Sequence, residues 1–318
     1  MLGTTRRGLL IGALVLPAAA RAQAKYPDRP IKIIVPYPPG GGVDLTARLL
    51  VEPLSKELGQ SIVVENKGGA GGLIGVEAMS HAPPDGYTLS LTGVSTLSAG
   101  PHMRKMPFDP AALAHITRLV RMPLILAVRN DLPARTLPEF MELAKRTEIR
   151  WASGGIGTSQ HLAGEYFTQM SGLKMIHVPY RGTGPALNDL AAGIVDAYFG
   201  DPATLGVIKG GKARAMAVTS SERWSVLPDT PTLAEAVPGY EAWNWYGIDA
   251  PPRTPEPIVD LLANAIRKVL ADPDVKKKYD DNGLHPATLS RPDYVAFIKR
   301  DSEVWGNVIA TGNIKADE

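Results

Sequence analysis

The sequence predicts an α/β fold of two lobes, each a mixed, mostly parallel sheet flanked by helices, with two strands of chain joining them. Three observations predict it. Short β-branched runs such as Ile31-Lys32-Ile33-Ile34-Val35 and Ile62-Val63-Val64 alternate with segments of helical period, as in sheets whose strands are buried on both faces. Glycine loops follow several of these strands, and each opens a helical segment. The extended run 116–128 and the segment 244–250 suit a chain that leaves one lobe, builds another and returns. With 318 residues, 44% hydrophobic and 21% charged, the chain is long enough for two cores.

The first residues read as a secretory signal peptide, 1–24. Arg6-Arg7 precedes the apolar run 8–16, and Ala20-Arg21-Ala22 or Ala22-Gln23-Ala24 offers a small-residue cleavage site. The apolar run is too short for a membrane span, which needs roughly 20 residues. Thr5-Arg6-Arg7-Gly8-Leu9-Leu10 also looks like a twin-arginine signal, so the export route stays open. Removing Arg6, Arg7 and Arg21 takes the formal net charge from +2 to −1, and with it goes any argument for nucleic acid or a membrane surface. The chain has no cysteine, which excludes disulfides, thiolate metal sites and a lipoprotein anchor. An exported chain of this kind is expected free in the periplasm.

In chain order, 31–35 is the first strand and Pro36-Tyr37-Pro38-Pro39-Gly40-Gly41-Gly42-Val43-Asp44 the first loop. Residues 44–58 place leucines at near-helical spacing with Gly59 as the stop, and Pro53 predicts a kink or break. A second strand, 62–66, leads through Gly68-Gly69-Ala70-Gly71-Gly72 to helix 76–81. Asp85-Gly86 turns the chain into strand 87–92, which ends in small and hydroxyl residues up to Ser98. Thr136 is positioned to cap helix 137–145. Strand 150–153 runs into Gly154-Gly155-Ile156-Gly157-Thr158 and helix 159–170. Strands are expected at 174–180, 195–201 and 213–219, and helices at 186–192, 257–271 and 292–309. The domain division is 25–122 with 248–318 for lobe 1 and 123–247 for lobe 2.

The glycine loops suggest the chemistry. The first N–H groups of a helix have no intrahelical partner and lie at the positive end of its dipole, so a strand–glycine–helix junction suits an anion. Equally, such a loop simply turns the chain. Two loops facing one cleft would clamp a dianion or the two ends of a small acid, and closure would bury it.

Val35-Pro36-Tyr37-Pro38-Pro39-Gly40-Gly41-Gly42-Val43-Asp44, Val64-Glu65-Asn66-Lys67-Gly68-Gly69-Ala70-Gly71-Gly72, Asp85-Gly86-Tyr87-Thr88-Leu89, Val178-Pro179-Tyr180-Arg181-Gly182 and Gly184-Pro185-Ala186-Leu187-Asn188-Asp189-Leu190, in that order, resemble the tripartite tricarboxylate transporter substrate-binding proteins, the Bug family. The resemblance runs from about Tyr26 to the C-terminus. It implies a two-lobed periplasmic binding protein (type II-like), monomeric, without cofactor or catalysis, passing small organic acids to a membrane permease. It carries the ligand contacts onto Tyr37, Gly40, Gly41 and Asp44 in the first lobe and Gly157, Thr158 and His161 in the second. Gly69 and Gly93-Val94-Ser95-Thr96 depart from the family pattern.

Ala70, Ser95, Arg181 and Asp201 complete the candidate ligand-binding set. Each candidate also has a plainer reading. Asp44 and Thr158 can cap helices, His161 can be a packed histidine, and Tyr37 loop packing. Arg181 either neutralises a second carboxylate or pairs with a surface acid. Asp201 binds a ligand amine or hydroxyl, or holds the hinge. A ligand-presenting role for a membrane sensor kinase is the alternative with the same fold. A secreted enzyme is the rival class, but the six histidines show no HExxH spacing and Ser153 lacks the G-x-S-x-G frame.

Overall fold

The computed structural model describes residues 26–316; the expected signal peptide lies outside the described residues. Among the described residues, eleven strands and ten α-helices follow one another. The first part of the chain gives β1 (Ile31–Val35), α1 (Gly42–Leu58), β2 (Ile62–Asn66), α2 (Leu73–Ser80), β3 (Thr88–Gly93), α3 (Gly100–Met103) and β4 (Ala114–Pro123). The middle gives β5 (Ile125–Arg129), α4 (Leu137–Arg146), β6 (Ile149–Ser153), α5 (Ser159–Ser171), β7 (Met175–Pro179), α6 (Thr183–Ala191), β8 (Ala197–Gly200), α7 (Thr204–Lys209) and β9 (Ala213–Val218). The last part gives β10 (Trp243–Ala250), α8 (Glu256–Ala271), α9 (Pro273–Asp281), β11 (His285–Pro286) and α10 (Arg291–Gly312). None of the described helices is long and apolar enough to cross a membrane.

Two sheets result, one per lobe, ordered β11-β4-β10-β3-β1-β2 and β7-β6-β8-β5-β9. β1 pairs in parallel with β2 and β3, and β6 with β7 and β8. The other five pairings are antiparallel, so the sheets are mixed without the expected parallel majority. The reason is the waist: the crossing strands β4, β5 and β10 are inserted antiparallel into sheets whose βαβ halves are parallel.

Both crossings are short and tied together. Only Leu124 separates β4 in one sheet from β5 in the other, and its N–H donates to Thr219 Oγ1 at 2.7 Å. The same hydroxyl donates to the carbonyl of Ala242 at 2.6 Å, just before β10 re-enters the first sheet. Backbone bonds from Thr219 to Leu124 and from Ala242 to Thr219 complete the knot. The expected return at 248 falls inside β10, which pairs with β4 from Trp243.

Local sequence accounts for most boundaries. Thr136 Oγ1 accepts from Glu139 N and starts α4, and Ser290 Oγ accepts from Asp293 N and starts α10. Gly59, at φ +65°, ends α1. Pro53 does not interrupt α1. It sits on a half-buried side, where water can reach the Leu49 carbonyl it leaves unbonded. α6 begins at Thr183, ahead of the expected 186. α9 escapes the periodicity test because Tyr279 is its one buried residue; Asp272 caps it by accepting from Asp274 N and Val275 N.

The lobes also share a core. One cluster of buried side chains runs from Val76, Leu97 and Trp305 of lobe 1 to Phe140, Trp151 and Phe167 of lobe 2, and Gln169 Nε2 of α5 donates to the Val308 carbonyl of α10 at 3.3 Å. Thr219, fully buried, is therefore the polar centre of an otherwise apolar waist. Thr219→Val keeps its shape but leaves the Leu124 N–H without an acceptor, an expected loss of about 1–3 kcal/mol in chemical denaturation. An unchanged midpoint would show that water takes over the role of the hydroxyl.

Candidate functional site

Three helices begin at one cleft between the lobes. β1 stops at Val35, and Gly40 takes φ +91°, a conformation glycine adopts without cost. Gly41, at the N-cap of α1, has no side chain to satisfy the first turn. Across the cleft, α5 starts after Thr158 and α6 after Gly182, which has φ +112°. The N–H groups of Val43, Ser159 and Thr183 find no protein partner among the described residues, as expected for first-turn donors. Each helix adds the positive end of its dipole.

The cleft is walled by Tyr37, Gly41, Gly42 and Val43 of the first loop, the π-turn at Val94-Ser95-Thr96, and Thr158, Ser159, Gln160 and Thr183 of lobe 2. Asn244 and Tyr246 of β10 form its floor. The space open to water centres is about 50 Å³, room for roughly three to five waters, so a guest enters only if the lobes part. No Lys, Arg or His lines the cleft, and Asp201 is the one charged side chain that does, among the described residues. Attraction for an anion therefore comes from backbone dipoles and hydroxyls. Tyr37 Oη bonds to Ser95 Oγ and donates to the Gly71 carbonyl at 2.9 Å; burial pushes its pKa up to about 12, which keeps it a neutral donor.

Of the sequence-predicted residues, Tyr37, Gly41, Ser95, Thr158 and Asp201 line the cleft. Gly40, Asp44, Ala70, Gly157, His161 and Arg181 stand behind or beside it. Asp44 braces the first loop: its carboxylate accepts from Gly40 N at 3.0 Å, Arg48 Nε at 2.9 Å and Asn66 Nδ2 at 2.9 Å. Burial works to raise its pKa, and these bonds outweigh burial and hold it below the usual range. Ala70 is exposed, at φ +48°. Arg181 is exposed and makes no ion pair among the described residues. Thr183, Gln160, Asn244 and Tyr246 went unpredicted. The signal for Thr183 was its place after Gly182; strand residues such as Tyr246 carry no local mark.

Asp201 lies at the end of β8, fully enclosed. Its Oδ2 accepts from Gly42 N at 3.0 Å, Thr183 Oγ1 at 3.3 Å and Gln160 Nε2 at 3.4 Å, and its Oδ1 from Ala203 N at 3.0 Å. Burial raises its pKa, opposed by the bonds from Gly42, Ala203 and Thr183.

His161, behind Thr158, stacks on His177 with ring centroids 4.2 Å apart and planes 24° apart. With Glu165 they bring potential ligand atoms within 4.8 Å of one another. The hydrogen bonds assign other roles. Gly157 N donates to His161 Nδ1 at 3.2 Å, so the neutral ring carries its proton on Nε2, facing Glu165 Oε1 at 3.7 Å. Stacked rings also point their in-plane lone pairs side by side instead of at a common ion. Burial lowers the pKa of His161 to about 4, and burial with the neighbouring His161 lowers that of His177 to about 3.

The linkage has a definite sign. An unfolded histidine takes its proton near 6.5, while these two stay neutral in the fold, so their contribution is complete above about 6.5 and is lost as pH falls toward 4. For His161 alone that loss is on the order of 3 kcal/mol. His115 opposes it in sign: burial lowers its pKa, the bonded Asp249 outweighs burial, and the net shift is upward. Its contribution is present below 6.5 and fades as pH rises through its folded pKa. Denaturation midpoints should fall between pH 6.5 and 4, and His177→Gln should flatten the fall; an equally steep fall in the variant would clear the pair.

A family model, described as the tripartite tricarboxylate transporter family receptor, matches residues 46–314. Among solved structures, a protein of R. palustris determined with adipate is 31% identical with a TM-score of 0.88, covering 91% of this chain and 99% of that one. The periplasmic binding protein BugD is 35% identical with a TM-score of 0.85, over 92% and 100%. MatC from Rhodopseudomonas palustris, with bound malate, is 31% identical with a TM-score of 0.81, over 89% and 100%. Since the family model spans most of its length, this chain belongs to the tripartite tricarboxylate transporter family of receptors.

Proposed function

We propose that the chain is a periplasmic solute-binding protein that captures a small organic acid between its lobes, as a monomer and without catalysis, and presents it to the membrane subunits of a tripartite tricarboxylate transporter. The observation that carries this reading is the convergence of three helix starts, each with a first-turn N–H that no protein group accepts among the described residues, on a cleft without a cationic side chain. Such a site holds a carboxylate through N–H groups and hydroxyls, and among the described residues that line it no nucleophile stands beside a histidine base; the nearby pair Ser153 Oγ and His177 Nε2, 2.7 Å apart, lies outside the lining. Two solved relatives hold adipate and malate, both small carboxylic acids. In this reading one carboxylate sits against the N–H groups of Val43, Ser159 and Thr183, with Ser95, Thr158 and Tyr37 walling the space around it. Gly157 and His161 shape the α5 start from behind, Gly40 and Asp44 brace the α1 start, and Ala70 and Arg181 belong to the rim.

Protein stripped of carried-over ligand by unfolding and refolding should gain several degrees in thermal midpoint with one class among mono-, di- and tricarboxylates, aromatic acids and amino acids. A ligand at about a thousand times its Kd adds roughly 4 kcal/mol. Turnover of the stabilising compound would overturn the binding-only reading, and silence across the panel would overturn the organic-acid assignment. Gly41→Leu tests the loop. A Cβ at Gly41 meets Thr183 Oγ1 at 3.5 Å and Asp201 Oδ2 at 3.8 Å, so the backbone tolerates it while the side chain fills the cleft. The variant should keep its own stability and lose the ligand-induced shift; a shift of wild-type size would remove the first loop from the site.

A further inference from the structure

We infer that Asp201 is the latch of the cleft, a carboxylate of lobe 2 that caps α1 of lobe 1 when the lobes meet and so completes closure from within the protein. Its bond to Gly42 N is the one hydrogen bond that joins the lobes among the described cleft-lining residues. The geometry suits the role on both sides. α1 begins at Gly41 with no side chain of its own to satisfy the Gly42 N–H, and an acid at a helix start is favoured by the dipole as well as by the hydrogen bond. Lobe 2 holds the acid ready: Ala203 N, Thr183 Oγ1 and Gln160 Nε2 fix it, and these three partners move with it.

The approach is close by construction. A Cβ on Gly42 would lie 3.2 Å from both Asp201 Cγ and Oδ2 and 3.0 Å from Tyr246 Oη, so a bare backbone is what lets the carboxylate reach the helix. Of the four bonds on Asp201, only that from Gly42 crosses between the lobes. Three of the four donors on Asp201 crowd its Oδ2, which leaves that oxygen no capacity for a ligand donor. The ligand's carboxylate is left the neighbouring N–H groups, those of Val43, Ser159 and Thr183. Asp201 is thus a positioning residue that acts through closure and sets affinity for all ligands alike.

This rests on the cleft described above, and its test separates it from the identity of the ligand. The absence of cysteine allows a clean spin-label pair, Glu52→Cys in lobe 1 and Lys212→Cys in lobe 2, both exposed. Distances measured by pulsed electron resonance on ligand-free protein should lengthen in Asp201→Ala. In Asp201→Asn, where an amide oxygen still accepts from Gly42 but the charge is gone, they should lengthen less. Affinity for every acid that the wild type binds should fall by a common factor of about tenfold in Asp201→Ala. Distance distributions identical to wild type in both variants overturn the latch, as does a loss confined to acids bearing an amino or hydroxyl group, which would make Asp201 a ligand contact. If Asp201→Ala does not fold, Asp201→Asn decides by the same two outcomes. Failure of the wild type to bind any acid would leave the distances standing and remove only the transport reading.

Discussion

An α-helix starts with N–H groups it cannot satisfy itself, and this chain brings three such starts to one place. The rest of the architecture follows from that constraint. α1 comes from one lobe, α5 and α6 from the other, so the donors meet only when the lobes do. Glycine at the turns is the condition for it: Gly40 and Gly182 take positive φ, and Gly42 admits a carboxylate that any side chain would push away. Dipoles and hydroxyls bring no counter-charge of their own to desolvate. Enclosed by two lobes, they act at a lower local dielectric than they would on an open surface.

The waist makes that meeting possible. Two crossings separated by more than a hundred residues share Thr219, whose hydroxyl bonds to Leu124 on one side and Ala242 on the other. The ladders of the two sheets lie on either side of these points. The α5–α10 contact and the common apolar cluster keep the lobes from separating altogether. Asp201 stands close to this hinge, one residue past Gly200, which pairs with Ile125 beside Leu124, and there it ties α1 to lobe 2 by a single hydrogen bond.

Much of this was legible. The glycine loops announced the helix starts because a missing Cβ is written directly in the sequence, and β-branched runs announced the strands. The order of the longer elements followed from alternation, whereas the break between β4 and β5 and the elements α3, α7, α9 and β11 did not. What stayed hidden was set by tertiary packing. α1 carries Pro53 without a break because that side of the helix is open to water. α9 has almost no apolar face. Tyr246 and Asn244 reach the cleft only because β10 is threaded between β3 and β4, a pairing over long sequence distance. Arg181, weighed for its charge against a second carboxylate or a surface acid, is exposed and stands outside the lining, which holds no Lys or Arg among the described residues. His161 enters the candidate set through the family resemblance, while the fold turns its ring toward His177 and Glu165.

The central claim is that backbone N–H groups at three helix starts hold the acid. The most direct measurement is the set of amide proton shifts of the isotope-labelled protein with and without a stabilising carboxylate. The account predicts that Val43, Ser159 and Thr183 move downfield together, as amides do when they donate to a carboxylate, and that the Arg181 side chain stays where it was. Unmoved helix starts with a large change at Arg181 would contradict it.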